Sequence, residues 1–142
     1  MTIVIPPSHS PDSCFESMWI QCVNRIARGS NRDVYEIPGH ADKVLKVSNR
    51  QANFTNWTEV ILHHYKESSG ELAKIHSWSW SCKFIVMERL SPLNDGDLDD
   101  YRFPNYLTDT KPENYGRDVN GKIKALDYAS IKVQTHPNSP FI

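Results

Sequence analysis

Apolar residues first become periodic at Phe15, Met18, Trp19, Cys22, Val23 and Ile26, a helical spacing that predicts an amphipathic helix opening near Ser13. Ser13 and Glu16 have the form of a capping box, in which each side chain satisfies the other residue's backbone amide. The end of this helix stays open, because Arg28-Gly29-Ser30-Asn31 breaks the stripe and residues 20–27 can equally pair as a first strand. Upstream, Pro6, Pro7 and Pro11 predict an extended or poorly ordered arm over residues 1–13. Val34–Ile37 and Val44–Val47 are β-prone runs around a Pro38-Gly39 turn, which predicts a hairpin. Phe54, Trp57, Thr58, Ile61 and Tyr65 then keep a helical stripe until Ser69-Gly70, with Glu59 off that stripe on a neighbouring face.

Two further strands are predicted over 75–79 and 83–89, about a turn near Trp80-Ser81. Residues 91–108 are acidic, aromatic and interrupted by Pro92 and Pro104, so no regular element is assigned there. Asn120-Gly121 is a hairpin signal, followed by a strand over 122–126 that ends at Asp127. The β, β, α, β, β order predicts an α+β fold in one domain over residues 1–142, with an antiparallel sheet of about five strands and one main helix packed on it.

Composition narrows the function classes. The chain has 142 residues with 16 Lys+Arg against 17 Asp+Glu, a net charge of −1 that gives no field for holding a nucleic acid. No apolar run reaches the length of a membrane span, and the N-terminus lacks the basic and apolar regions of a signal peptide. A cytoplasmic protein with neither nucleic-acid nor membrane partners is expected. Cys14, Cys22 and Cys82 have no paired spacing and read as small buried hydrophobes rather than a disulfide framework. The six histidines show no zinc spacing, and the acidic run 94–100 does not fit a calcium loop.

Lys46 is the conspicuous residue of the second β-prone run, since a lysine in an apolar strand is costly unless it snorkels or meets a carboxylate. Downstream stand Asp109-Thr110-Lys111-Pro112-Glu113-Asn114 and then Asp127-Tyr128-Ala129. In order and spacing these resemble the protein-kinase superfamily: Asp109 to Asn114 resembles the catalytic loop, and Asp127-Tyr128-Ala129 is similar to Asp-Phe-Gly. Val44-Leu45-Lys46 is similar to the Val-Ala-Ile-Lys strand. Glu59 falls in the helix that supplies the paired acid, and Phe84 to Leu90 resembles the strand and hinge against which adenine lies. Taken alone Lys-Pro-Glu-Asn is an ordinary turn, and Lys46 could be an edge-strand lysine; the joint order is what carries the resemblance.

The resemblance implies a kinase-like N-lobe over 14–90 and a strongly reduced catalytic and metal-loop segment over 91–142. It implies ATP and Mg²⁺ as cofactors: Gly29, Ser30, Lys46, Glu59, Glu88 and Leu90 toward the nucleotide, Asn114 and Asp127 toward the metal, and Asp109, Lys46 and Lys111 as the catalytic set. The expected function is a Mg-dependent phosphotransferase acting on a hydroxyl, of serine/threonine-kinase type; the alternative is a non-catalytic kinase-like protein that binds and inhibits, or scaffolds, a cellular partner. The chain departs from the pattern in its phosphate loop, where Gly29 stands with Ala27 and Arg32 at the other two glycine places. Leu107-Thr108 replaces the His-Arg before the catalytic Asp, and the helical lobe is missing. That missing lobe predicts uncovered apolar surface, and so a homodimer or a complex with a host protein through 101–107 or the tail at Phe141-Ile142.

Overall fold

A computed structural model describes residues 2–49 and 53–131. Its elements are α1 (Asp12–Trp19), β1 (Arg25–Arg28), β2 (Arg32–Ile37), β3 (His40–Ser48), α2 (Phe54–Lys66), β4 (Ile75–Trp78), β5 (Phe84–Glu88), β6 (Tyr115–Arg117) and β7 (Ile123–Ala125). The first five strands form one antiparallel sheet in the order β1-β2-β3-β5-β4, and β6 and β7 form a separate hairpin. The result is a mixed α+β arrangement with a helix on each face of the sheet. Among the described residues no helix is long and apolar enough to cross a membrane.

The two central strands explain why the chain needs cover on both sides. Side chains alternate across a pleated strand. Leu45 and Val47 of β3, with Phe84 and Val86 of β5, therefore join Phe15, Met18 and Cys22 in one cluster. Val44 of β3, with Ile85 and Met87 of β5, faces the other way and joins Leu62 of α2 in a second cluster. The extended arm lies along the first cluster. Ile3 is buried there, its amide donates to the Pro38 carbonyl at 3.3 Å, and the His9 amide reaches the Trp78 carbonyl at 2.9 Å.

Several sequence expectations meet a different outcome. The capping box does not form: α1 opens at Asp12 behind Pro11 with no side-chain cap, and the Asp12 carboxylate instead accepts from the Ser81 amide at 3.2 Å and hydroxyl at 2.5 Å. The α1 stripe also stops early, because the chain must turn into the sheet; Ile26 lies in β1, and Val23 and Ile26 are 88% and 41% exposed. Cys14 is exposed, while Cys22 and Cys82 are buried, and all three are free thiols. The largest reversal is in α2. Phe54, Trp57 and Tyr65 face outward, whereas the inward residues are Asn56, Glu59 and Leu62, one turn apart.

Beside α2, the C-terminal half covers the second cluster with one 3-10 turn, Pro112–Asn114, and no α-helix among the described residues. Between β5 and Pro112 it has neither helix nor strand among the described residues. Tyr101, Phe103 and Tyr115 pack edge to face in a triangle with centroids 5.2 to 5.7 Å apart. Pro104, Tyr106 and Leu107 are buried, so most of the 101–107 segment closes over the protein's own core rather than standing ready for a partner. Phe141 and Ile142 lie outside the described residues. Gly116 permits the closest approach in this half: a Cβ there would meet Leu90 Cβ at 2.6 Å and the Ser91 carbonyl at 2.8 Å, so any side chain would push β6 away from the end of β5.

The two members of the α1 stripe separate in stability. Phe15, fully buried, loses about 3–4 kcal/mol on Phe15→Ala, and exposed Val23→Ala stays within about 0.5 kcal/mol of wild type, both read by urea unfolding.

Candidate functional site

A cleft of about 1050 Å³ opens between the sheet and the C-terminal half. Its walls bring together most of the residues singled out in the sequence: Gly29, Ser30, Lys46, Glu88, Leu90, Asp109, Asn114 and Asp127 all line it. Glu59 stands behind Lys46 with no exposure at all. Lys111 is exposed and is not part of the lining. The loop that carries it is a tight turn, with the Lys111 amide 3.3 Å from Asp109 Oδ1 and the Asn114 amide 3.0 Å from the Lys111 carbonyl. That turn aims Asp109 and Asn114 at the cleft and leaves the lysine side chain outside it.

Lys46 owes its position to the strand period. Sharing a face with Val44, it points toward α2, between cross-strand neighbours Val34 and Ile85, and is 2% exposed. Its Nζ donates to Glu59 Oε1 at 3.2 Å, to Asp127 Oδ1 at 3.0 Å and to the Leu126 carbonyl. Glu59 in turn accepts the Tyr128 amide at 2.8 Å, which ties the segment after β7 to α2. Asn114 is tied to that segment as well, because its carbonyl accepts the Leu126 amide at 2.8 Å and the Asp127 amide at 3.4 Å. Tyr128 is buried, and its hydroxyl donates to the Ala73 carbonyl at 3.0 Å.

The residue that sequence reasoning did not place in the site is Arg32. At the start of β2, it reaches under the β1–β2 turn into the same charge cluster. Its Nη2 donates to Glu59 Oε2 at 3.0 Å and to Asp127 Oδ1 at 2.9 Å, and its Nη1 donates to Glu59 Oε1 and to Asn56 Oδ1, the latter at 3.3 Å. The turn itself is tight, with the Gly29 amide bonded to the Arg32 carbonyl at 2.7 Å and held from the side by Asn49 Nδ2 on the Gly29 carbonyl at 3.1 Å. The sequence marks Arg32 only as the residue at a glycine place of the phosphate loop, and nothing local links it to Glu59 or Asp127. Its role follows from the arrival of α2 and of residue 127 on one side of the sheet.

The cluster is thus two cations, Lys46 and Arg32, against two carboxylates, Glu59 and Asp127. Removing charges from water is expensive, and here the mutual pairing offsets it only because every group is also hydrogen-bonded. Among the described residues no buried side-chain nitrogen or oxygen lacks a hydrogen-bond partner. Burial alone would raise the Glu59 carboxyl, but the adjacent Arg32 and Lys46 charges outweigh it and hold it below the ordinary glutamate value. Asp127 behaves in the same way, with Lys46 and Arg32 overcoming the effect of burial. Burial likewise opposes the Arg32 charge, which Glu59 more than restores.

The two ends of the cleft differ. Val34, Val44, Met87, Leu90 and Leu126 make one end apolar, next to the Glu88–Leu90 segment. There the Glu88 amide is taken by the Lys74 carbonyl and the Arg89 amide by the Asp42 carbonyl, both at 2.8 Å, and the Glu88 carboxylate pairs with Lys124 at 3.2 Å. The other end holds Lys46, Arg32, Asp109, Asn114 and Asp127. The cleft thus joins an apolar end to an end that bears both cations and carboxylates. The chain matches no protein-family model, and no curated protein matches it in sequence.

The charge cluster makes stability depend on pH in a definite direction. Because the folded-state values of Glu59 and Asp127 are depressed, the unfolded chain binds more protons through the acid range. Their contribution is complete above the unfolded carboxylate values and is lost as pH falls through the folded ones. The contribution of these two carboxylates should be constant from pH 7 to about 5.5 and be lost below about pH 4.5, on top of a shallower decline of the urea midpoint below about pH 6.5 from His63 and His76, whose folded values burial depresses. Glu59→Gln, which leaves two buried cations facing one partly exposed carboxylate, should cost about 3–5 kcal/mol at pH 7, against less than about 0.5 kcal/mol for the exposed Glu67→Gln.

Proposed function

We propose that this chain is a reduced kinase-like protein that binds ATP with Mg²⁺ in the cleft and transfers the terminal phosphoryl group to a hydroxyl. The observation that carries the reading is Lys46, held at 3.2 Å by Glu59 of α2 and at 3.0 Å by Asp127, in the same cleft as Asp109 and Asn114. Phosphoryl transfer demands positioning and charge neutralisation more than covalent chemistry. Lys46 is suited to the α- and β-phosphates, Asp109 to orienting an acceptor hydroxyl, and the apolar end to the adenine ring, with the Leu90 backbone assigned to the purine edge.

The residues present fit a magnesium ion. Asp127 keeps 40% of its side chain exposed in the cleft, and the half-buried Asn114 lies beside it in the lining. Among the described residues no three His, Cys, Asp or Glu side chains converge as a metal cage. Magnesium needs none, since it is commonly held by one or two carboxylates together with substrate phosphates and water. When bound, the ion neutralises charge on the phosphates; Asp127 and Asn114 are the groups that would hold it.

Arg32 favours a second reading, a kinase-like protein that binds a partner without catalysis. Its guanidinium already occupies Asp127 Oδ1 at 2.9 Å, where metal and phosphates would otherwise gather. The two readings separate by experiment. Titration calorimetry with ATP and Mg²⁺ is expected to give binding that Lys46→Ala and Asp127→Asn each weaken by more than about tenfold. γ-Labelled ATP is expected to transfer label to the protein itself or to a lysate acceptor, and Asp109→Asn to lower that transfer by about 100-fold or more. Binding without transfer leaves the second reading, and no binding at millimolar nucleotide removes the first.

A further inference from the structure

α2 is amphipathic in the reverse of the usual sense. A surface helix normally turns its apolar stripe to the core. Here the inward face is given to Asn56, Glu59 and Leu62, since Glu59 must reach Lys46 and Arg32, and the aromatic stripe is left outside. Phe54, Trp57 and Tyr65 are 72%, 53% and 60% exposed. The turn next to the start of the helix exposes a further aromatic. Asn53 Nδ2 donates to the Ser81 carbonyl at 3.2 Å, which sets the β4–β5 turn against the start of α2, and Trp80 on that turn is 77% exposed.

We propose that this face, α2 with Trp80 at its head, is the interface of a homodimer. Three features favour a second copy of the chain as occupant. The four aromatics together expose on the order of 600 Å², taking roughly 150–250 Å² for each buried ring, against about 800 Å² per partner in a standard interface, so they supply most of what a stable dimer requires. Among the described residues the face shows little charge: Glu59 is the one Asp, Glu, Lys or Arg between Phe54 and Tyr65 and is fully buried, Lys66 at the end of α2 lies over the Tyr106 ring, and His64 is an exposed ionisable side chain. A partner of different sequence would ordinarily be selected by complementary charge, of which this surface offers little, whereas a face of little charge is compatible with itself about a twofold axis. Finally, Trp57, Ile61 and Tyr65 lie four residues apart and form one ridge, the row that interdigitates with its own copy when two helices pack at the commonest crossing angle. Trp and Tyr are also the residue types that dominate interface energetics. The dimer does not depend on nucleotide chemistry in the cleft.

Light scattering and sedimentation of the full chain test the proposal. Between about 1 and 100 μM, a range set by moderate protein–protein affinities, wild type is expected to reach twice the 16.3 kDa chain mass. Trp57→Asp, which brings a charge into the ridge, is expected to weaken association by at least about 100-fold, and Tyr65→Asp at the other end to do the same. Both positions are exposed, so circular dichroism should show the fold retained in each variant. A wild type that stays at the mass of one chain up to 100 μM overturns the proposal. So does a dimer that neither substitution dissociates, because its contact then lies elsewhere.

Discussion

The rest of the structure hangs on the pairing of Lys46 with Glu59 and Asp127. A lysine on the α2-facing side of a central strand has no water to reach, so its charge must be met by carboxylates brought from elsewhere in the chain. Glu59 comes from a helix thirteen residues on, and Asp127 from the end of the β6–β7 hairpin, 81 residues away. Each partner constrains the element that carries it. α2 must turn one face to the sheet at the level of Lys46, and the segment after β7 must pass beneath β3. The Glu59 bond to the Tyr128 amide and the Asn114 bonds to the Leu126 and Asp127 amides then fix the loop containing Asp109 and Asn114.

This constraint accounts for the unusual surface of α2. A helix has one inward face, and here a carboxylate and an amide occupy it because the charge cluster requires them. The aromatic residues keep their helical period but lie on the opposite side. The same economy appears in the C-terminal half, where packed aromatics and a small hairpin share the second face of the sheet with α2. Tyr101, Phe103, Tyr106 and Tyr115 fill the space that the cleft does not, and their packing leaves the cleft open at Asp127 and Asn114.

Arg32 adds a second cation beside Lys46. Its two guanidinium nitrogens lock Glu59 and Asp127 together and draw the β1–β2 turn over the cleft. The cluster is therefore balanced in charge and closed on itself.

Local pattern determined much of this protein. The β2–β3 hairpin, β4, β5, the span of α2, the Asn120-Gly121 hairpin and the antiparallel sheet were legible because strand and helix periods and turn residues act over a few positions. Lys46 was legible as a charge that needed a partner, and Asp109, Asn114 and Asp127 stood out by type and spacing. Only the tertiary structure decided which face of α2 turns inward. Periodicity reports that a stripe exists, and the direction it faces depends on what the opposite side must bind. Only the tertiary structure brought Arg32 to Glu59, 27 residues away, and to Asp127, 95 residues away, since no local rule links a hairpin corner to a distant carboxylate. It also turned the aromatic segment 101–107 inward, because whether such a segment covers its own core or a neighbour's depends on the shape of the sheet face left open to it.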